Sequence, residues 1–125
     1  MKIESPFLNV DEEATDKLIE SIITNIKNEQ GAFAVMGNSQ MEYIQALATE
    51  HGFIVQYQHG SLDEHYEFDT YLSRPQTINL FQAYLTQAHN WQNGLPSSKV
   101  NVRDFWGSLG YVIGRVLGRF ARVFK

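Results

Sequence analysis

Two alternating runs, Phe53–Gln58 and His65–Thr70, constrain the fold more than any other part of this chain. In the first, Phe53, Val55 and Tyr57 fall on one side of an extended backbone and Ile54, Gln56 and Gln58 on the other, the pattern of a strand half sunk in a core. In the second, Tyr66, Phe68 and Thr70 repeat the apolar side while His65, Glu67 and Asp69 turn away. Residues 58–64 reverse the chain between them, in a connection longer than a two-residue hairpin. The pair predicts a sheet with one apolar face and one wet, acidic face.

Around this pair, residues 33–69 read as strand, helix, strand, hairpin and strand. Ala32 to Met36 is an apolar run of strand length, broken at Gly37-Asn38. Ser39 with Glu42 three residues on forms a capping box, and Met41, Ile44, Leu47 and Ala48 supply a buried helical side that ends at Gly52. A helix between two strands permits a right-handed crossover with those strands parallel. Upstream, residues 1–10 form an extended lead-in, and Pro6 argues against a central strand. Asn9 or Asp11 caps an amphipathic helix carrying Leu18, Ile19, Ile22, Ile23 and Ile26 and ending at Gly31. Its first turn holds Asp11, Glu12, Glu13 and Asp16, where the helix dipole favours negative charge. Downstream, Ser73, Pro75 and Gln76 start another capped helix, with Ile78, Phe81, Tyr84 and Leu85 inward; residues 90–98 are loop.

At 125 residues the chain is expected to be a single domain. A hydrophobic content of 43% is that of a folded globule rather than a disordered segment. With no cysteine, disulfides and thiol chemistry are excluded. Acids in the first residues break any secretory leader, and no apolar run approaches the about 20 residues of a membrane span. A cytoplasmic protein is therefore expected. The net charge of −4 conceals an asymmetry: residues 1–69 carry −10 and residues 70–125 carry +6. The acidic first half repels phosphate, so nucleic acid is not the expected partner, whereas a basic protein surface is.

Residues 101–125 sort at helical spacing into three faces. Phe105, Trp106, Leu109, Val112, Ile113 and Val116 begin a wide apolar face; Gly107, Gly110, Gly114 and Gly118 align as a smooth stripe; Arg115, Arg119 and Arg122 line up as a third. Four glycines in a helix cost about 1 kcal/mol each relative to alanine, which close approach of another backbone would offset. The expected roles are closure of the domain's own core, self-association into a homodimer, or contact with a membrane surface, the last being the least favoured.

Candidate chemistry is sparse. His59, Asp63, Glu64, His65, Glu67 and Asp69 form the densest ionisable cluster. Two imidazoles and a carboxylate are metal-ligand types, but the spacing fits no established metal motif and charged hairpin tips are common on soluble proteins. Ser39, Ser61 and Ser73 lie in no nucleophile elbow, and there is no phosphate-binding glycine loop. No cofactor is expected and a non-enzymatic role is favoured.

Tyr43–Leu47 (YIQAL), Gly52–Ser61 (GFIVQYQHGS), Glu64–Glu67 (EHYE) and Ile78–Leu85 (INLFQAYL), with Trp91 beyond, give residues 33–91 a pattern that resembles immunity proteins of bacterial polymorphic-toxin systems. These are small cytoplasmic proteins paired with toxins delivered by contact-dependent inhibition or type VI secretion. The resemblance implies an inhibitor without activity of its own that binds a cognate toxin domain. An acidic inhibitor imitates phosphate and is steered to a basic nuclease. The expected toxin-facing patch is Tyr57, Gln58, His59, Asp63, Glu64, His65, Glu67 and Asp69, with aromatic anchors and carboxylate steering. The alternatives are a small metal-dependent enzyme centred on His59 and His65, or an adaptor acting through the last helix. The expected fold is α+β: three or four strands with helices mainly on one face, in a core of residues 1–100, and an amphipathic C-terminal helix over 101–125.

Overall fold

The alternating runs are realised within a sheet far larger than the sequence suggests. A computed structural model describes residues 1–5, 10–27 and 32–101. Its strands are β1 (Lys2–Ser5), β2 (Val10–Glu13), β3 (Phe33–Ser39), β4 (Glu42–Thr49), β5 (Gly52–His59), β6 (His65–Phe68) and β7 (Ser97–Lys99). Helix α1 (Asp16–Asn25) follows β2, and helix α2 (Arg74–Leu85) lies between β6 and β7. All seven strands join one antiparallel sheet in the order β2-β1-β3-β4-β5-β6-β7. The small three- to four-stranded α+β fold is thereby corrected: sheet dominates, with two helices among the described residues. None of the described helices is long and apolar enough to cross a membrane. The C-terminal residues Trp106, Gly110, Gly114, Arg115, Gly118 and Arg119, like Gly31 and Pro6, lie outside the described residues.

The expected helix over residues 39–51 is strand β4. Its residues do have helical propensity, but Ile44, Ala46 and Ala48 also alternate with Tyr43, Gln45 and Leu47, and the pleat sends these sets to opposite faces. Both sets are buried, which hides the polar/apolar contrast by which a strand is recognised. Tertiary pairing overrides local propensity here. Ser39 caps a turn instead of a helix: its Oγ accepts from the Met41 amide at 3.2 Å, closing a two-residue link to β4. Thr49 repeats the device with the His51 amide at 3.1 Å. Gly52 follows at φ 127°, a backbone state that a side chain would strain. The predicted parallel crossover between β3 and β5 is thus replaced by an antiparallel meander.

The first helix begins later than expected. Thr15 is its cap, accepting from the Leu18 amide at 3.1 Å; Asp11, Glu12 and Glu13 are on edge strand β2, where charge discourages pairing with other chains. Helix α2 follows its sequence signature closely, with Ser73 and Gln76 completing a reciprocal capping box and Pro75 in the first turn. Arg74, beside that cap, donates to the carbonyls of Ile23 and Ile26, the latter at 2.6 Å, and so closes the C-terminal end of α1. Its guanidinium also lies 5.2 Å from the centre of the Phe53 ring.

Both helices pack on one face of the sheet. Ile19, Ile22 and Ile23 of α1 and Leu80 and Phe81 of α2 join Ile3, Ala34, Met36, Ile44, Ala46 and Val55 in a continuous core. Ala34, Ala46 and Ala48 contribute small side chains to this core. The opposite face carries a polar row, Glu4–Val35–Gln45–Gln56–Glu67–Ser98, running across six strands in register. Beside it run Gly37, Tyr43, Gln58 and His65. Gly37 is needed there: a Cβ would come within 2.4 Å of the Glu42 carbonyl and 2.7 Å of Tyr43 Cβ. The expected wet, acidic face is corrected, because Glu4, Tyr43, Gln45, Gln56, Gln58 and His65 are all buried.

Candidate functional site

Beyond the C-terminal end of α2 the sheet extends further than the helix covers. Strands β4, β5 and β6, with the turn that leads into β6, supply Glu42, Tyr57, His59, Glu64 and Tyr66 to one side of an open cleft of about 710 Å³. Tyr84, at the end of α2, and His89, Trp91 and Gln92, in the following turns, form the other. Register explains the sheet side: Glu42 opposes His59 and Tyr57 opposes Tyr66, so these four share the helix-bearing face.

Aromatic rings form the floor. Trp91 meets Tyr57 edge to face at 4.9 Å and Tyr84 at 5.0 Å, with interplanar angles of 84° and 89°. Tyr57 stacks on Tyr66 at 5.1 Å, and its hydroxyl shares a 2.8 Å hydrogen bond with Ser97 Oγ. Tyr57 is buried, whereas Tyr66, Tyr84 and Trp91 are half-buried. Burial, and secondarily the negative charge of Glu42, raises the pKa of the Tyr84 hydroxyl. Two carboxylates rim the cleft. Glu42 lies 3.3 Å from His59 Nδ1. Glu64 accepts from the Tyr66 hydroxyl and lies 3.5 Å from Lys99 Nζ; these two contacts, the hydrogen bond foremost, hold its carboxyl below the usual range. The same hydrogen bond raises the pKa of Tyr66.

Of the residues expected to face a partner, the cleft gathers Tyr57, Gln58, His59 and Glu64. Asp63 is exposed in the turn just before Glu64. Asp69 is exposed past the end of β6 and accepts from Ser98 Oγ at 2.6 Å. His65 and Glu67 are separated from the cleft by the sheet itself. His65 is 1% exposed, its Nε2 2.7 Å from Gln56 Oε1 and its Nδ1 3.1 Å from Gln58 Oε1. Glu67 is half-buried and accepts from Gln56 Nε2 at 2.8 Å. The row continues to Gln45, whose Nε2 donates to Gln56 Oε1 at 3.1 Å. Two oxygens facing the ring would suit a doubly protonated imidazolium, but burial works against that charge and pushes the pKa of His65 down to about 4.

The two imidazoles of the metal-enzyme alternative therefore point away from one another, His59 to solvent and His65 into the amide row. No three His, Cys, Asp or Glu side chains among the described residues gather as a metal site. Sequence reasoning missed Glu42, Tyr84, His89 and Trp91 as site residues. Glu42 was hidden by its apparent role in a helix cap, and Tyr84 by its place on the inner side of α2. Trp91 carries the one legible signal, an isolated tryptophan just past a helix. Compared with known proteins, the chain matches no family model, no curated protein and no solved structure.

Proposed function

We propose that this protein is a binding protein that neutralises a cognate bacterial toxin domain by direct contact, in the manner of the immunity proteins its sequence resembles. The observation that carries this reading is the cleft: half-buried aromatic rings bordered by Glu42 and Glu64, beside an exposed turn bearing Asp63. Amphipathic rings supply anchoring area at an interface, and carboxylates at the rim steer a basic partner toward it. The patch is revised from the sequence expectation: Tyr57, His59, Asp63 and Glu64 are retained, Glu42, Tyr84 and Trp91 are added, Gln58, His65 and Glu67 become structural, and Asp69 lies outside the cleft.

The experiment is a search of the neighbouring reading frames for a secreted protein ending in a small toxic domain, co-expression with that domain, and titration of the purified pair. The wild type is expected to restore growth and bind. The double variant Asp63→Lys, Glu64→Lys is expected to lose affinity at least tenfold while its thermal midpoint shifts by no more than a few degrees, as for surface substitutions. Unchanged affinity in that variant places the interface elsewhere, and absence of binding by the wild type rejects this pairing.

A further inference from the structure

We propose that the cleft between the β4–β6 edge and the end of α2 is a receptor for one guanidinium side chain, an arginine presented by the protein partner. The proposal deepens the toxin-binding reading and rests on it only for the source of that arginine. Among the described residues lining the cleft there is no lysine or arginine, while Glu42 and Glu64 stand on its sheet side. An anionic guest would meet two carboxylates and, at the rim, a lysine already paired with one of them; a cationic guest meets both carboxylates.

The walls narrow the class further. Tyr66, Tyr84 and Trp91 are half-buried, and Trp91 stands perpendicular to Tyr84, so the rings make an aromatic corner rather than a flat patch. A planar, weakly hydrated guanidinium stacks on such rings and directs paired N–H donors at a carboxylate, which a compact ammonium does less well. The molecule already accommodates a cation at the rim: Lys99 Nζ lies 6.0 Å from the centre of the Tyr66 ring and 3.5 Å from Glu64 Oε1. Lys99 reaches the Glu64 carboxylate from edge strand β7. Glu42, on the other side, lies 3.3 Å from the exposed imidazole of His59, and its own side chain is 41% exposed, within reach of an incoming donor.

The test uses the full chain and two peptides, acetyl-Gly-Arg-Gly-amide and its citrulline twin, which keeps the shape and removes the charge. Titrations are followed by NMR. Saturable shifts are expected at the Trp91 indole N–H and at the amides of His59 and Glu64, with the citrulline peptide at least tenfold weaker. Glu42→Gln and Glu64→Gln are each expected to weaken the arginine peptide at least threefold, and Lys99→Ala, which removes the resident cation, is expected to leave its binding no weaker. Non-saturable shifts, equal response to the two peptides, affinity unaffected by either glutamine variant, or weaker binding in Lys99→Ala overturns the assignment. The peptide comparison on the wild type needs no variant to fold. A toxin domain that binds wild type and both glutamine variants equally sinks the cleft assignment and spares the toxin reading. An arginine-specific cleft in a protein that no toxin domain binds does the reverse.

Discussion

His65 illustrates how little a residue's type says about its role. In sequence it belongs to a charged hairpin and looks solvent-facing; in the fold its ring contacts the oxygens of Gln56 and Gln58 and is removed from water. Its pKa falls from 6.5 to about 4 through burial. Between those values the unfolded chain binds the proton and the folded chain does not, so stability rises with pH across this window and is lost on acidification. The loss amounts to about 3 kcal/mol once the pH has fallen below the acid end of the window. Urea unfolding between pH 4 and 6.5 is expected to show this slope in the wild type and a flatter one in His65→Gln, the difference between the two curves removing the common carboxylate contribution. Equal slopes would show that another group carries the dependence. Glu64 and Tyr66 make the opposite point, because they are only two residues apart at the start of β6, and their hydrogen bond is a local one.

At the level of elements, α2 is held by signals readable in advance and by one that is not. The Ser73/Gln76 box and Pro75 lie in consecutive sequence. Arg74 acts across 51 positions, closing the carbonyl end of α1 at Ile23. Charge-assisted hydrogen bonds of this kind contribute about 1.5–3 kcal/mol together with the cost of leaving the carbonyls unpaired. Arg74→Ala is accordingly expected to lower unfolding free energy by about 2 kcal/mol, and Arg74→Lys to recover part of that loss, since one nitrogen, Nη1, makes both bonds and an ammonium also carries several donors on one nitrogen. A loss below about 0.5 kcal/mol in denaturant titration would show that the cap carries little weight. Strands β5 and β6 were legible because their apolar and polar residues alternate strictly. Strand β4 was not: its two faces are both buried, and its Glu, Gln, Ala and Leu favour helices when only neighbours are considered. β2 was missed for a related reason, since four residues ending in three acids look more like the first turn of a helix than like an edge.

On the scale of the molecule, the candidate cleft became visible only when distant segments were brought together. Glu42, His59, Glu64, Tyr84 and Trp91 span fifty positions, and no local motif links them. The acidic bias of the first half was readable, and its consequence for association belongs to the whole surface. Binding to a basic toxin domain is expected to slow about tenfold between about 0.05 and 0.5 M salt, with dissociation changing far less. Stopped-flow mixing reads both rates, and a salt-independent on-rate would show that steering plays no part.

The amide row on the second face also works as a key for strand alignment. Sliding β5 by one position against β4 would thrust Gln56 and Gln58 beneath the isoleucines of α1 and α2's Phe81, and would leave Val55 and Tyr57 facing Gln45 and His65. Each misplaced amide would then lack its hydrogen-bonding neighbours while each misplaced apolar group would lose its own. One misregister is thus penalised on both sides of the sheet at once, and Glu42 on β4 and Glu64 in the turn after β5 stay aimed at the same spot.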